Sequence, residues 1–352
     1  MSEFKQRLLK KCKRGILSGH EIGYLNRIST DIAGLDYILG GGLPVGRAIQ
    51  IWGPESAGKS ALCLSIIKNR QRLNPEANFF YVDAEMTVTQ EDLEVHNIDK
   101  DRLVFYRPVG GEDAIDAALE ALMEGAEIAV IDSVPYLRPK KVLDELLKDS
   151  SYRDVSSIAQ LLERVQSKII LTLEQSEGCL IFINQQRPAK DTYSPPSHPG
   201  GSALKFMLSA SIQVFSSKKD KDNPEILTQG LITRKNKTHT PLKKTSLILD
   251  NRRVQRGQSL VETCLDLGLI IKKGGGYLFL EEDFATSINR ETNLPRSVSK
   301  CGDYLETDLD LYNTLYKAVS ERSSQHSLGF DDEQDTDDPN ETVLAASIYD
   351  AE

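Results

Sequence analysis

The sequence Gly53-Pro54-Glu55-Ser56-Ala57-Gly58-Lys59-Ser60 lies between two apolar runs, Ala48-Ile49-Gln50-Ile51-Trp52 and Ala61-Leu62-Cys63-Leu64-Ser65-Ile66-Ile67. The first has the length and character of a buried strand, and the second reads as a helix. Strand, glycine loop and helix in that order make a phosphate-binding loop. Backbone N–H groups from Gly53 to Gly58 can wrap a polyphosphate, Lys59 can reach its outer phosphates, and the Ser60 hydroxyl can ligate Mg²⁺. The phosphate then rests on a helix N-terminus, where unpaired N–H groups and the helix dipole both favour an anion. Gly53 to Ala61 are therefore the candidate nucleotide contacts.

Further apolar runs follow at regular intervals. Phe79-Phe80-Tyr81-Val82-Asp83, Leu103-Val104-Phe105-Tyr106, Ile128-Ala129-Val130-Ile131-Asp132-Ser133 and Cys179-Leu180-Ile181-Phe182-Ile183-Asn184-Gln185 read as buried strands. Helical spacing separates them at Glu112 to Met123 and at Ser156 to Leu173. Alternation of this kind implies an α/β fold, a mainly parallel sheet flanked by helices on both sides. Ligands of such sheets bind at the carboxyl ends of the strands, where Asp83, Glu85, Asp132 and Gln185 fall. Ser211 to Ser217, Leu227 to Thr233 and Ser246 to Leu249 alternate more and suggest antiparallel strands. Beyond them a small α+β unit is expected: a helix at Leu260 to Leu267, strands on either side of Gly274-Gly275-Gly276, and one helix from Leu305 to Val319. Residues 3 to 14 suggest a short amphipathic helix that docks elsewhere. The glycines and proline of Gly40-Gly41-Gly42-Leu43-Pro44 predict a tight approach to the strand before the phosphate loop.

Charge is unevenly distributed. Asp331 to Glu352 carry nine acids and no Lys or Arg, which leaves residues 1 to 330 balanced at 43 acids against 43 bases. The acidic end is poor in aromatics and reads as disordered. Basic clusters stand near the N-terminus and between Arg234 and Arg256. No run approaches the roughly 18 apolar residues of a membrane span. The N-terminus is charged and lacks an apolar signal core, so a cytoplasmic location is expected. Cys12, Cys63, Cys179, Cys264 and Cys301 are too scattered to suggest a zinc cluster or a disulfide framework.

A phosphate loop needs an acid behind the metal, and Asp132 is the candidate. Glu85, at the end of the neighbouring strand, is placed to activate water. Gln186 to Gly201 form a long polar loop with four prolines, and Arg187, Lys190, Tyr193 and His198 suit single-stranded nucleic acid through phosphate neutralisation and stacking.

In the order of their occurrence, Ile28-Ser29-Thr30, Gly41-Gly42-Leu43-Pro44-Val45-Gly46-Arg47, the phosphate loop, Asp83-Ala84-Glu85, Ile131-Asp132-Ser133-Val134, Phe182-Ile183-Asn184-Gln185, Gly200-Gly201-Ser202-Ala203-Leu204-Lys205-Phe206 and Lys235-Asn236-Lys237 resemble the RecA family of DNA recombinases. The resemblance runs from about Ile16 to about Leu280. It implies an ATP-dependent recombinase that forms a homo-oligomeric helical filament on single-stranded DNA, takes up double-stranded DNA and exchanges strands. ATP and Mg²⁺ would be the cofactors, and single-strand-binding and mediator proteins further partners. By the same resemblance, Lys59 and Ser60 bind phosphate and Mg²⁺, Asp132 the metal's water shell, and Glu85 activates water. Gln185 senses the γ-phosphate at the root of the DNA loop, and Lys235 and Lys237 reach a neighbour's ATP. DNA contacts fall on Arg187, Lys190, Tyr193, Gly200, Gly201 and Ser202, with Tyr152 and Arg153 in a second loop at about Val142 to Arg153.

The implied division is residues 1–27 as polymerisation arm, 28–256 as ATPase core, 257–325 as a small C-terminal domain for duplex DNA, and 326–352 as acidic tail. The chain departs from the family at Asp92, which stands where a tyrosine stacks on adenine. Two other readings share the phosphate loop: a ring-forming helicase-like motor, and a nucleotide-gated DNA-binding regulator.

Overall fold

The computed structural model describes residues 23–148, 157–187, 197–221 and 223–325. The helix expected at residues 3–14, the acidic tail, and parts of both loops expected to face DNA lie outside them. A short antiparallel pair, β1 (Arg27–Ile28) and β2 (Leu43–Pro44), brackets the first helix, α1 (Ala33–Leu39). The close backbone approach of the glycine run is made to β1 and not to the strand before the phosphate loop. Gly42 adopts φ 128°, and a Cβ there would stand 2.4 Å from the Ile28 carbonyl oxygen.

The chain then alternates. It runs β3 (Arg47–Gly53), α2 (Lys59–Leu73), β4 (Asn78–Asp83), α3 (Gln90–Val95), β5 (Leu103–Tyr106), α4 (Gly111–Met123), β6 (Ala126–Asp132), α5 (Lys140–Lys148), α6 (Ser157–Gln175), β7 (Cys179–Gln185) and α7 (Gly201–Met207). Four more strands complete the sheet: β8 (Ala210–Lys219), β9 (Ile226–Asn236), β10 (Lys244–Asp250) and β11 (Arg253–Val254). Among the described residues, nine strands form one sheet in the order β11-β10-β9-β8-β3-β7-β6-β4-β5. Pairing is parallel from β8 through β5 and antiparallel from β8 out to β11. β8 therefore has both characters, parallel to β3 and antiparallel to β9, where the sequence suggested only the second.

The apolar runs are continuous because both faces of the sheet are covered. Ile49, Ile51, Val130, Ile181 and Ile183 pack with Leu62, Cys63 and Ile66 of α2. Their neighbours Ala48, Ala129, Ile131, Leu180 and Phe182 pack on the opposite face with Leu119 and Leu122 of α4 and Leu161 and Ile169 of α6. Each strand thus feeds two cores, as a period of two dictates. The register brings Gly53 level with Gln185 and Asp83 level with Asp132, at the carboxyl ends of neighbouring interior strands.

The C-terminal unit consists of α8 (Arg256–Asp266), the hairpin β12 (Ile270–Lys273) and β13 (Tyr277–Leu280), α9 (Glu282–Ser287), α10 (Val298–Thr307) and α11 (Leu309–Gln325). The single helix expected from Leu305 to Val319 is in fact two. Asp308 breaks it: its carboxylate accepts from Leu311 N at 3.1 Å and starts α11. A third apolar cluster, with Leu260, Cys264, Leu280, Cys301, Leu305 and Leu315, fills this unit and includes Ala33 of α1. Hydroxyls fasten the same seam. Tyr316 donates to Asp36 at 2.5 Å, and Tyr312 to Asp31 at 3.1 Å.

Candidate functional site

A cavity of about 770 Å³ opens at the carboxyl ends of β3, β4, β6 and β7 and is lined by Glu55 to Ala61, Glu85, Asp132, Ser133 and Gln185, among others. The loop beneath it depends on glycine at two points. A Cβ on Gly53 would lie 2.8 Å from Val214 Cβ and 2.8 Å from its carbonyl oxygen. Gly58 turns at φ 79° immediately before α2, and a Cβ there would meet Gln229 Nε2 at 2.6 Å. Gln229 also donates to the Ala57 carbonyl, which fixes that peptide from β9.

Lys59 is almost wholly buried, and its ammonium donates to the carbonyls of Pro54, at 2.5 Å, and Gly53, at 3.4 Å. Burial lowers its pKa from the ordinary value, while Asp132, Glu85 and Glu55 oppose that shift. Ser60 Oγ donates to Asp132 Oδ2 at 2.6 Å, and Tyr81 OH donates to the same oxygen at 2.6 Å. Burial pushes the Asp132 carboxyl above its ordinary value against these two hydrogen bonds. A cation nearby would offset that cost. The residues fit Mg²⁺, a metal that takes few protein ligands and is completed by phosphates and water. Among the described residues, no group of three or more His, Cys, Asp or Glu could hold a metal ion alone.

Glu85 lies beside this group. Its Oε2 accepts from Ser133 Oγ at 3.1 Å and from Gln185 Nε2 at 3.4 Å. The Ala84 N–H donates to the Asp132 carbonyl at 2.7 Å, so the ends of β4 and β6 are tied together. Gln186 N donates to the Gly53 carbonyl at 2.8 Å, which ties the root of the long polar loop to the start of the phosphate loop. Asp83 falls elsewhere. It is fully buried and occupied by Arg107, at 3.1 Å, and by Thr87 N.

The remaining candidates divide. Arg187 N donates to the Ser197 carbonyl at 2.7 Å, closing the described ends of the polar loop on each other. Gly200 precedes α7 at φ 106°, and Gly201 and Ser202 open that helix. Lys235 and Lys237 do not line the cavity. Their ammoniums donate to the C-terminal carbonyls of α7, Lys205 O and Phe206 O, the latter at 2.8 Å. Burial first, and then Lys237, lowers the Lys235 pKa to about 8. Lys190, Tyr193, Tyr152 and Arg153 lie outside the described residues. The second expected DNA loop is corrected in part, because Lys140 to Lys148 form α5.

Sequence reasoning missed Tyr81, read only as a strand residue. A tyrosine in a buried strand two residues before Asp83 was the available signal, since a buried hydroxyl requires a partner. It also gave no role to Ser133, although that residue follows Asp132, and it missed His96 and Arg252, which line the cavity by tertiary contact alone.

A parallel sheet with a phosphate loop after its central strand, and carboxylates at the adjacent strand ends, defines a P-loop ATPase core. The family described as RecA N-terminal domain matches residues 11–251. The chain is 30% identical over 307 residues to Protein RecA of Phytoplasma mali, covering 85% of this chain and 86% of the relative. It is 33% identical over 288 residues to Protein RecA of Acidothermus cellulolyticus, covering 79% and 81%. Against Protein RecA of Legionella pneumophila it is 34% identical over 267 residues, covering 73% and 75%. The chain belongs to the RecA family of DNA recombinases, proteins of recombination and repair that bind ATP and DNA. No helix among the described residues is long and apolar enough to cross a membrane.

Proposed function

We propose that this protein hydrolyses ATP with Mg²⁺ while assembled as a helical filament on single-stranded DNA, and that it pairs and exchanges homologous strands. One observation carries the reading. Gln185 touches Glu85 while the next residue, Gln186, is hydrogen-bonded to Gly53, so the root of the polar loop meets both the candidate base and the phosphate loop. A nucleotide that draws on either contact biases the loop, and DNA ordering the loop biases the same contacts in return.

In this reading Lys59 and the backbone from Gly53 to Ala61 bind the triphosphate, and Ser60 ligates Mg²⁺ with Asp132 behind its water. Bound Mg²⁺ supplies charge neutralisation at the phosphates. Glu85 takes the proton of the attacking water, and Ser133 and Gln185 orient its carboxylate. Lys235 and Lys237 serve a neighbouring subunit's nucleotide. Their placement away from their own cavity supports this role, which makes turnover depend on assembly. The polar loop, through Arg187, Lys190, Tyr193 and Gly200 to Ser202, contacts single-stranded DNA, as do Tyr152 and Arg153. Residues 28–256 act as the ATPase core, 1–27 as the polymerisation arm, 257–325 as a duplex-binding domain and 326–352 as an acidic restraint.

The test is electron microscopy of the protein with ATP and single-stranded DNA, followed by strand exchange between homologous substrates. Helical filaments and joint molecules are expected. Closed rings, or DNA-bound protein that exchanges nothing, would overturn the reading.

A further inference from the structure

Lys59 and Ser60 fix the phosphate end of the cavity, so the base of a bound nucleotide has to lie toward the other end. There the lining includes Asp92 of α3 and Asn251 and Arg252 of the turn between β10 and β11. The turn is held close to the phosphate loop through His96, whose Nε2 lies 3.2 Å from Ala61 O and 3.1 Å from Arg252 O. Arg252 thus stands one imidazole away from the residue that follows Ser60. Asn251 and Arg252 have φ 45° and 66°, both in the left-handed region, as the two central residues of a tight hairpin turn require.

The guanidinium is oriented. Arg252 Nη1 donates to Asp92 Oδ1 at 2.5 Å. Asp92 is itself fixed by Thr89, whose N and Oγ1 donate to Oδ2 at 2.9 and 2.8 Å in the capping box of α3. The Arg252 side chain remains 54% exposed, which leaves a face open to a ligand. Among the described residues the only aromatic ring lining this cavity is His96, and its two nitrogens face backbone carbonyls.

We propose that Arg252 is the base-contacting residue of this site, stacking its guanidinium on a purine, and that the site takes guanine as well as adenine nucleoside triphosphates. The inference rests on reading the cavity as the nucleotide site. A guanidinium plane stacks on either purine, so stacking does not select between them. Its N–H groups only donate. Guanine offers them two acceptors on one edge, O6 and N7, whereas adenine offers N7 beside a donor. Selecting adenine requires an acceptor for its amino group, and Asp92, the carboxylate paired with Arg252, is already committed to Thr89 and Arg252.

The experiment is calorimetric titration of the full chain with non-hydrolysable ATP and GTP analogues in Mg²⁺, for wild type, Arg252→Ala, Arg252→Gln and Lys59→Ala. The two analogues are expected to bind wild type within about 5-fold of each other, less than the tenfold that 1.4 kcal/mol represents. Arg252→Ala should weaken both by roughly 3- to 30-fold, the scale of a cation–π contact, with Arg252→Gln between it and wild type. Binding of the adenine analogue more than about 30-fold tighter than the guanine analogue would overturn the inference, as would unchanged affinity in Arg252→Ala. In either case a Lys59-dependent adenine affinity leaves the nucleotide site standing. If neither analogue binds wild type, the reading of the cavity fails first.

Discussion

Two buried carboxylates in this protein are held by the same kinds of donor and serve opposite ends. Asp36, in α1, accepts from Ser29 Oγ at 2.8 Å, Thr30 Oγ1 at 2.5 Å, Thr30 N at 3.0 Å and Tyr316 OH at 2.5 Å, so both its oxygens are occupied. Asp132, at the end of β6, also accepts from a serine and a tyrosine, but both reach Oδ2, and the residue lines a cavity. Burial raises the pKa of each above the ordinary carboxylate value. Saturation rather than burial separates them. A carboxylate whose donors all come from packed elements fixes a seam, and one whose serine belongs to a phosphate loop remains available to a ligand.

The largest effects that test this contrast lie on the cavity side. Lys59→Ala and Glu85→Ala should each cut DNA-stimulated ATP turnover by about 10²- to 10⁴-fold, the range of a lost general base or phosphate contact. Glu85→Ala should still bind ATP and hold the DNA-bound state, whereas Lys59→Ala should lose nucleotide binding. Glu85→Ala should unfold in urea within about 0.5 kcal/mol of wild type, because this half-buried side chain closes no packed seam, whereas Lys59→Ala strips a donor from the Gly53 and Pro54 carbonyls and should cost about 1–3 kcal/mol. A large stability loss in Glu85→Ala would show that the cavity side is structural as well, and the contrast would fail.

Tyr316→Phe is the reciprocal test. It removes one donor from the saturated carboxylate and joins no cavity, so it should cost about 1–3 kcal/mol in urea unfolding and leave ATP turnover by the folded protein unchanged. Tyr81→Phe removes the matching hydroxyl from Asp132. Its carboxyl should rise further above the ordinary range, since the hydrogen bond that favours the ionised form is gone.

The sign of the resulting pH effect follows. A neutral Asp132 cannot support a metal's water shell, so apparent Mg²⁺ affinity should fall as pH drops toward the raised pKa. The fall should begin at higher pH in Tyr81→Phe than in wild type. Magnesium titration of nucleotide binding across pH reads this directly, and coincident profiles for the two proteins would remove Tyr81 from the site.

The legibility of these features follows the same division. The parallel sheet was readable because strands that feed two cores leave uninterrupted apolar runs, and β5 and β7 begin and end where Leu103–Tyr106 and Cys179–Gln185 suggested. The phosphate loop was readable because its chemistry lies in consecutive residues. Tyr316, 280 residues from Asp36, left no local trace, and neither did Arg252, 160 residues from Asp92. The helix that ends at Asp308 was misread for a related reason. An aspartate within an amphipathic pattern looks like part of a solvated face until its side chain is seen to accept from Leu311 N. Contacts made by side chains across the fold are fixed by topology, which periodicity does not encode.

The smallest effect concerns a charge that belongs to neither class. Lys235 is half-buried, and its ammonium meets the carbonyl end of α7, a helix C-terminus that favours a cation without neutralising it. Burial and then Lys237 hold its pKa at about 8, so as pH rises through that value the folded protein loses a charge that an ordinary lysine keeps. Lys237→Ala removes the second cause and leaves the first, and the pKa should rise while remaining below the ordinary 10.5. Site-resolved acylation rates across pH, read by mass spectrometry, would report the shift, because only the neutral amine reacts. Assembly on DNA with ATP should raise the pKa further if a neighbour's phosphates approach. An acylation profile of Lys235 that is the same in free and assembled protein would place no anion there and would confine this lysine pair to its own subunit.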